Sequence, residues 1–88
     1  MSASDAEAVA EETPGDVWAP VRDLPPSAKL VAKVLAYEDT LSQSELSEET
    51  LLPPRTVRYA LSRLEEVDAV ESRFSFTDAR KRLYSLDL

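Results

Sequence analysis

The stretch LPPRTVRYALSRLEE, from Leu52 to Glu66, constrains what this chain can fold into more than any other. At about 100° per residue, Val57, Ala60, Leu61 and Leu64 fall at i, i+3, i+4 and i+7 and line one face of a helix. Arg55, Tyr59, Ser62 and Glu66 take the opposite face, with Thr56, Arg58 and Arg63 on its flanks. Such a helix must bury one side, and its other side offers hydrogen-bonding groups suited to phosphates and base edges. An ordinary surface helix with a solvated basic face has the same pattern, so the flanking sequence decides between the two.

Upstream, Ser42 and Glu45 have capping-box spacing, and Leu41 and Leu46 occupy the positions of a hydrophobic staple around that cap. A short helix is predicted from Gln43 to near Glu49. Only Thr50 to Pro53 then separates it from the long helix, and two helices joined by so short a turn must cross steeply. Pro54 fits the first turn of the second helix, where an N–H would have lacked an intrahelical partner.

Pro25 and Pro26 end whatever precedes them and lead into Ser27, an expected N-cap for a helix to about Tyr37. Its expected buried stripe is Leu30, Val31, Val34 and Leu35, with Lys29 and Lys33 outside it. Thr40 and Leu41 are too few for an independent strand, although they could pair with a hairpin elsewhere. After Glu66 the period changes. Val70, Phe74 and Phe76 alternate with Glu71, Arg73 and Ser75, as in a half-buried strand. Thr77 to Lys81 is polar and charged, and Leu83, Tyr84, Leu86 and Leu88 resume the strand pattern. The expected fold is mainly α with a small β-hairpin: three helices plus a two- or three-stranded antiparallel wing, a winged helix-turn-helix.

Eighty-eight residues with 43% hydrophobic content allow one small domain. Residues 1 to 16, rich in Ala, Glu, Ser and Asp, are expected to form a disordered acidic arm, leaving 17 to 88 as the domain. Trp18 should dock either on the domain's own first helix or on a second copy. With neither cysteine nor histidine, no metal site or cofactor is expected. No apolar run approaches a membrane span and the N-terminus lacks the features of a signal peptide, which points to a cytoplasmic protein.

The net charge of -7 repels phosphate at long range, but its distribution is uneven. Between Glu38 and Glu49 there are five acids and no base. From Pro53 to Arg82 seven bases (Arg55, Arg58, Arg63, Arg73, Arg80, Lys81, Arg82) stand against five acids. Most of the positive charge, seven of ten basic residues, thus lies in the segment that would face a duplex. An acid-rich chain with few lysines and much alanine and valine also fits a halophile.

With SQSELSEETLLPPRTVRYALSRLEE as helix pair and TDARKRLYSL as wing, the chain resembles the winged helix-turn-helix regulators, most of all the MarR-like branch in its archaeal forms, over roughly Leu24 to Leu88. The resemblance implies that the helix carrying TVRYALSRL enters the major groove. Arg55, Thr56, Arg58, Tyr59 and Ser62 then become groove and phosphate contacts. Asp78 and Arg80 become the wing pair at the minor groove, the aspartate steadying the arginine. Ser42 and Gln43 become phosphate ligands at the start of the preceding helix. Two departures stand out. Leu51 occupies the place where that family's turn has glycine, so another turn geometry is expected. The C-terminal dimerisation helix of MarR-like proteins does not follow the wing.

Two functions remain. The first is a sequence-specific regulator binding double-stranded DNA as a homodimer on a two-fold related site. Arg58 and Arg55 are then the candidates for bidentate contact to guanine. Tyr59 would touch a thymine methyl or a phosphate, and Arg63, Arg73, Arg80, Lys81 and Arg82 would neutralise phosphates. The second is a protein-docking winged helix without direct DNA contact, using the acidic Glu38 to Glu49 surface or Trp18. An enzyme is not expected. The single glycine, Gly15, forms no phosphate-cradling loop, the paired acids read as solvated charge, and no small-molecule substrate is evident.

Overall fold

A computed structural model describes residues 17–78 and 80–88, so the expected disorder of residues 1 to 16 lies outside the described residues. A 3-10 turn, Ala19–Val21, leads to helix α1 (Pro26–Glu38), strand β1 (Thr40–Ser42), helix α2 (Gln43–Thr50), helix α3 (Pro54–Glu66) and strands β2 (Val70–Phe74) and β3 (Arg82–Leu86). The strands form one antiparallel sheet in the order β1-β3-β2. Three helices and a three-stranded antiparallel sheet make a winged helix-turn-helix, and Thr40–Ser42 supplies the third strand by pairing with β3.

Helix α1 starts one residue before the expected cap. Pro25 is the N-cap, with no side-chain bond, and Ser27 lies inside the first turn. Pro26 suits the first position because its fixed φ is already helical and its missing N–H costs nothing there. The buried stripe is also rotated from the expected one: Ala28, Val31, Ala32 and Leu35 are buried, Val34 is half-buried, and Leu30 is 39% exposed. Alanines carry half of this stripe because α1 packs directly against α3, where a methyl group fills the gap that a leucine would overfill.

The core joins Val31 and Leu35 of α1, Leu46 of α2, Val57, Leu61 and Leu64 of α3, and Val70 and Tyr84 of the sheet. Val21 and Leu24 close it from the N-terminal side. Trp18 packs on its edge with the Lys33 ammonium 4.1 Å from the ring centroid, so the tryptophan docks on its own first helix.

At the start of α2 the capping box is complete: the Ser42 N–H donates to Glu45 Oε1 at 2.8 Å, and the Glu45 N–H donates to Ser42 Oγ at 3.2 Å. The Ser42 N–H, and then the nearby charge of Lys81, hold the Glu45 carboxyl below its ordinary value of 4.5. A depressed folded pKa contributes stability that is full above the unfolded value and disappears as pH falls through the folded one. Ser42→Ala is expected to cost about 1 kcal/mol at neutral pH. Glu45→Ala removes the carboxylate itself, so its cost should be largest at neutral pH and shrink in acid below the carboxylate range, as urea unfolding at two pH values would test; an equal loss at both would refute the linkage.

The turn after α2 departs from expectation. Leu51 itself adopts the left-handed region, φ 63°, ψ 22°, where a glycine was expected to be needed. Hydrogen bonds on Leu52 hold it there: Ser47 Oγ donates to the Leu52 carbonyl at 2.6 Å, and the Leu52 N–H donates to Thr50 Oγ1 at 3.3 Å. Neighbouring bonds thus over-determine a conformation that a side chain disfavours. Leu51 is 89% exposed, so its side chain gains little by burial in return. Leu51→Gly is therefore expected to stabilise the domain by about 0.5–1 kcal/mol, the strain relieved exceeding the backbone entropy added. A lower urea midpoint would show that the strain argument is wrong.

Helix α3 ends in a Schellman motif on Asp68, φ 58°, with Asp68 N–H bonded to the Glu65 carbonyl and Ala69 N–H to that of Leu64. The strand pattern was expected to half-bury Phe74 and Phe76. Instead β2 ends at Phe74, which is 56% exposed, and Phe76 stands wholly in solvent in the hairpin loop. Val70, Ser72 and Phe74 share one face, but only Val70 is buried in the core; Ser72 is already exposed, and the Phe74 ring meets the Arg82 guanidinium.

Candidate nucleic-acid interface

The outward face of α3 follows from its period. With Val57, Ala60, Leu61 and Leu64 turned inward, Arg55, Arg58, Tyr59 and Ser62 are exposed and Thr56 is half-buried. Among the described residues, neither Arg55 nor Arg58 takes part in an ion pair or a side-chain hydrogen bond. Arg63 is placed differently. Its Nη1 donates to the Tyr59 hydroxyl at 3.1 Å and its Nε to Glu66 Oε1 at 3.2 Å. The Tyr59 bond, and then the Glu66 charge, raise its pKa above the ordinary value, and both partners hold the side chain along the helix. The i,i+4 spacing of Tyr59 and Arg63 was legible in the sequence; the tether itself was not.

Helix α2 abuts the start of α3, where Gln43 Nε2 donates to the Pro54 carbonyl at 3.4 Å. Beside it runs an open cleft between the α2 N-terminus (Ser42, Gln43, Ser44, Glu45) and the returning arm of the wing (Asp78, Arg80, Lys81, Arg82). The expected phosphate role of Ser42 meets an obstacle: its residue is 4% exposed, and both its N–H and its hydroxyl oxygen belong to the capping box. Gln43, half-buried, and Ser44, exposed, come next along the helix and also line the cleft.

In the wing, Asp78 Oδ1 accepts the Arg80 N–H at 3.0 Å and lies 3.9 Å from the Arg80 Nε. The aspartate thus fixes the arginine's backbone and restrains its exposed side chain. Arg82 stacks on the Phe74 ring at 5.0 Å, Lys81 lies near Glu45, and Arg73 is exposed on β2. Apart from Arg22, Lys29 and Lys33 on and before α1, the cationic side chains fall into two groups, one on α3 and one on β2 and the wing, with the α2 N-terminus between them. This arrangement suits a polyanion that spans both.

A family model described as winged helix-turn-helix DNA-binding matches residues 33–71, from the second half of α1 into β2. No curated protein matches the chain. Among solved structures, a zinc-responsive MarR family member from Lactococcus lactis, ZitR, is 26% identical with a TM-score of 0.67, covering 74% of this chain and 44% of that one. This chain thus spans under half the length of that regulator. A probable transcriptional regulator from Pseudomonas aeruginosa, 18% identical, gives a TM-score of 0.72 over 98% of this chain and 67% of that one. The adhesin competence repressor AdcR from Streptococcus pyogenes, also 18% identical, gives 0.69 over 96% and 57%. The last two likenesses are of fold.

Proposed function

We propose that this winged helix-turn-helix chain is a sequence-specific transcriptional regulator of the MarR-like kind. In this reading α3 lies in the major groove of double-stranded DNA and the wing lies on the adjacent minor groove and backbone. The observation that carries the reading is the exposed pair Arg55 and Arg58, one turn apart on the outward face of α3 and without partners among the described residues. Unpartnered arginines at that place suit bidentate contact to guanine O6 and N7. Thr56, Tyr59 and Ser62 supply further contacts, and Gln43 and Ser44 bind phosphate at the start of α2. Arg63, Arg73, Arg80, Lys81 and Arg82 neutralise phosphates. The names of the similar structures support the regulator reading, and the family description supports DNA as the partner.

The active form is a homodimer on a two-fold related site, working in the cytoplasm, with residues 17 to 88 as the DNA-binding domain. The acid-rich remainder of the surface suits a halophilic, archaeal host. The zinc response of the Lactococcus protein is not carried over, because these 88 residues hold neither histidine nor cysteine. The reading requires no catalytic residue or cofactor. A docking module is the second reading, favoured by the net charge of -7. It loses one of its two contact candidates, since Trp18 lies against the core beneath Lys33.

Selection of duplexes from a random pool, at the salt concentration of the host, tests the proposal. Enrichment of one motif, symmetric about a centre, is the expected outcome; an unenriched pool after repeated rounds leaves the docking reading in its place.

A further inference from the structure

Phe76 is the most exposed large apolar side chain among the described residues, and it sits in the loop of the wing. The backbone around it is built rather than loose. Ser75 N–H donates to the Lys81 carbonyl at 2.8 Å, Thr77 N–H to Ser75 Oγ at 3.2 Å, and the Ser75 and Thr77 hydroxyls lie 3.0 Å apart. Hydrogen bonds thus fix the residues on both sides of Phe76 while its ring stays in water, where an aromatic ring is unfavourable. The arm that returns from the loop carries Arg80, Lys81 and Arg82 in succession, and Arg82 covers the ring of Phe74 at 5.0 Å. An aromatic ring held out within a cationic rim is complementary to base pairs set between phosphates.

We infer that Phe76 is an apolar wedge that enters the minor groove, stacks against a base step and bends the duplex. Apolar side chains inserted at minor-groove steps partly unstack them and kink DNA, and cations around such a side chain hold the flanking phosphates. The overall charge adds a reason. A chain of net charge -7 is repelled by phosphate at long range, and a stacking contact adds affinity that does not depend on neutralising phosphate. The inference rests on the regulator reading and extends it with a contact that α3 and the Asp78–Arg80 pair do not provide.

The test compares the full chain with Phe76→Ala, Phe76→Leu and Lys81→Ala on a mixed-sequence duplex carrying a dye at each end. Affinity and end-to-end energy transfer are read across a salt series. Phe76→Ala is expected to bind about tenfold more weakly at every salt concentration, to keep the salt slope of the parent, and to lose the rise in transfer that marks bending. Phe76→Leu keeps most of both, while Lys81→Ala flattens the slope by about one. Parent-like affinity and transfer in Phe76→Ala overturn the wedge and leave the regulator reading intact. If the parent chain binds no duplex at any salt, both readings fall together.

Discussion

Leu64→Ala is expected to bring the domain to the edge of unfolding at room temperature. Leu64 is wholly buried on the inner face of α3, where that helix meets the core shared with α1 and the sheet. Truncating a leucine in such a position loses the transfer energy of its side chain and leaves a cavity, together about 2–5 kcal/mol. A domain of this size has only roughly 4–10 kcal/mol to lose. Leu30→Ala, on a side chain that the sequence pattern had placed inside, should cost under about 1 kcal/mol, because that residue is 39% exposed. Urea unfolding followed by circular dichroism gives both numbers. Equal losses at the two positions would mean that the core has been drawn in the wrong place.

Arg58→Ala should have the next largest effect, this time on recognition with the fold unchanged. Arg58 is exposed, so its loss creates no cavity and leaves no buried partner unsatisfied. If it reads a guanine, truncation removes about 1–3 kcal/mol of discrimination against the wrong base, which is roughly five- to 150-fold in relative affinity. The signature lies in the pattern: preference relaxes at one position of the selected motif, while binding to unrelated duplex falls far less. Arg55→Ala should relax a neighbouring position in the same way. A uniform fall in affinity across all sequences would instead make these arginines phosphate ligands.

How much was legible in the chain depended on whether the signal was local. The α3 stripe and the capping box at Ser42 and Glu45 were both readable because period and cap spacing are short-range properties. The stripe of α1 was misplaced because Ala28 and Ala32 look neutral in sequence, and only the close approach of α3 makes them the better fit. Phe74 and Phe76 alternate as a buried strand should, yet alternation cannot tell how far along a strand the core reaches. Leu51 and Asp68 take positive φ without being glycine, each held by hydrogen bonds from other residues. At the interface, the helical period put Arg55 opposite the core and Arg58 on the flank, and both side chains are exposed. The tether of Arg63 to Tyr59 and the commitment of Ser42 to its cap became visible only with side chains in place.

The middle strand of the sheet is β3, the last of the three to leave a ribosome. Thr40 must wait for Ser85, and Leu41 for Tyr84, before the strand ahead of α2 has anything to pair with. During synthesis the three helices are thus complete while Tyr84, which fills the core from the sheet side, is still to come. Folding should begin with the local helix contacts and finish with this long-range closure, its slowest step in loop entropy. Substitutions in Arg82–Leu86 would then act mainly by hastening unfolding, and the helical nucleus would set the rate at which the newborn chain collapses.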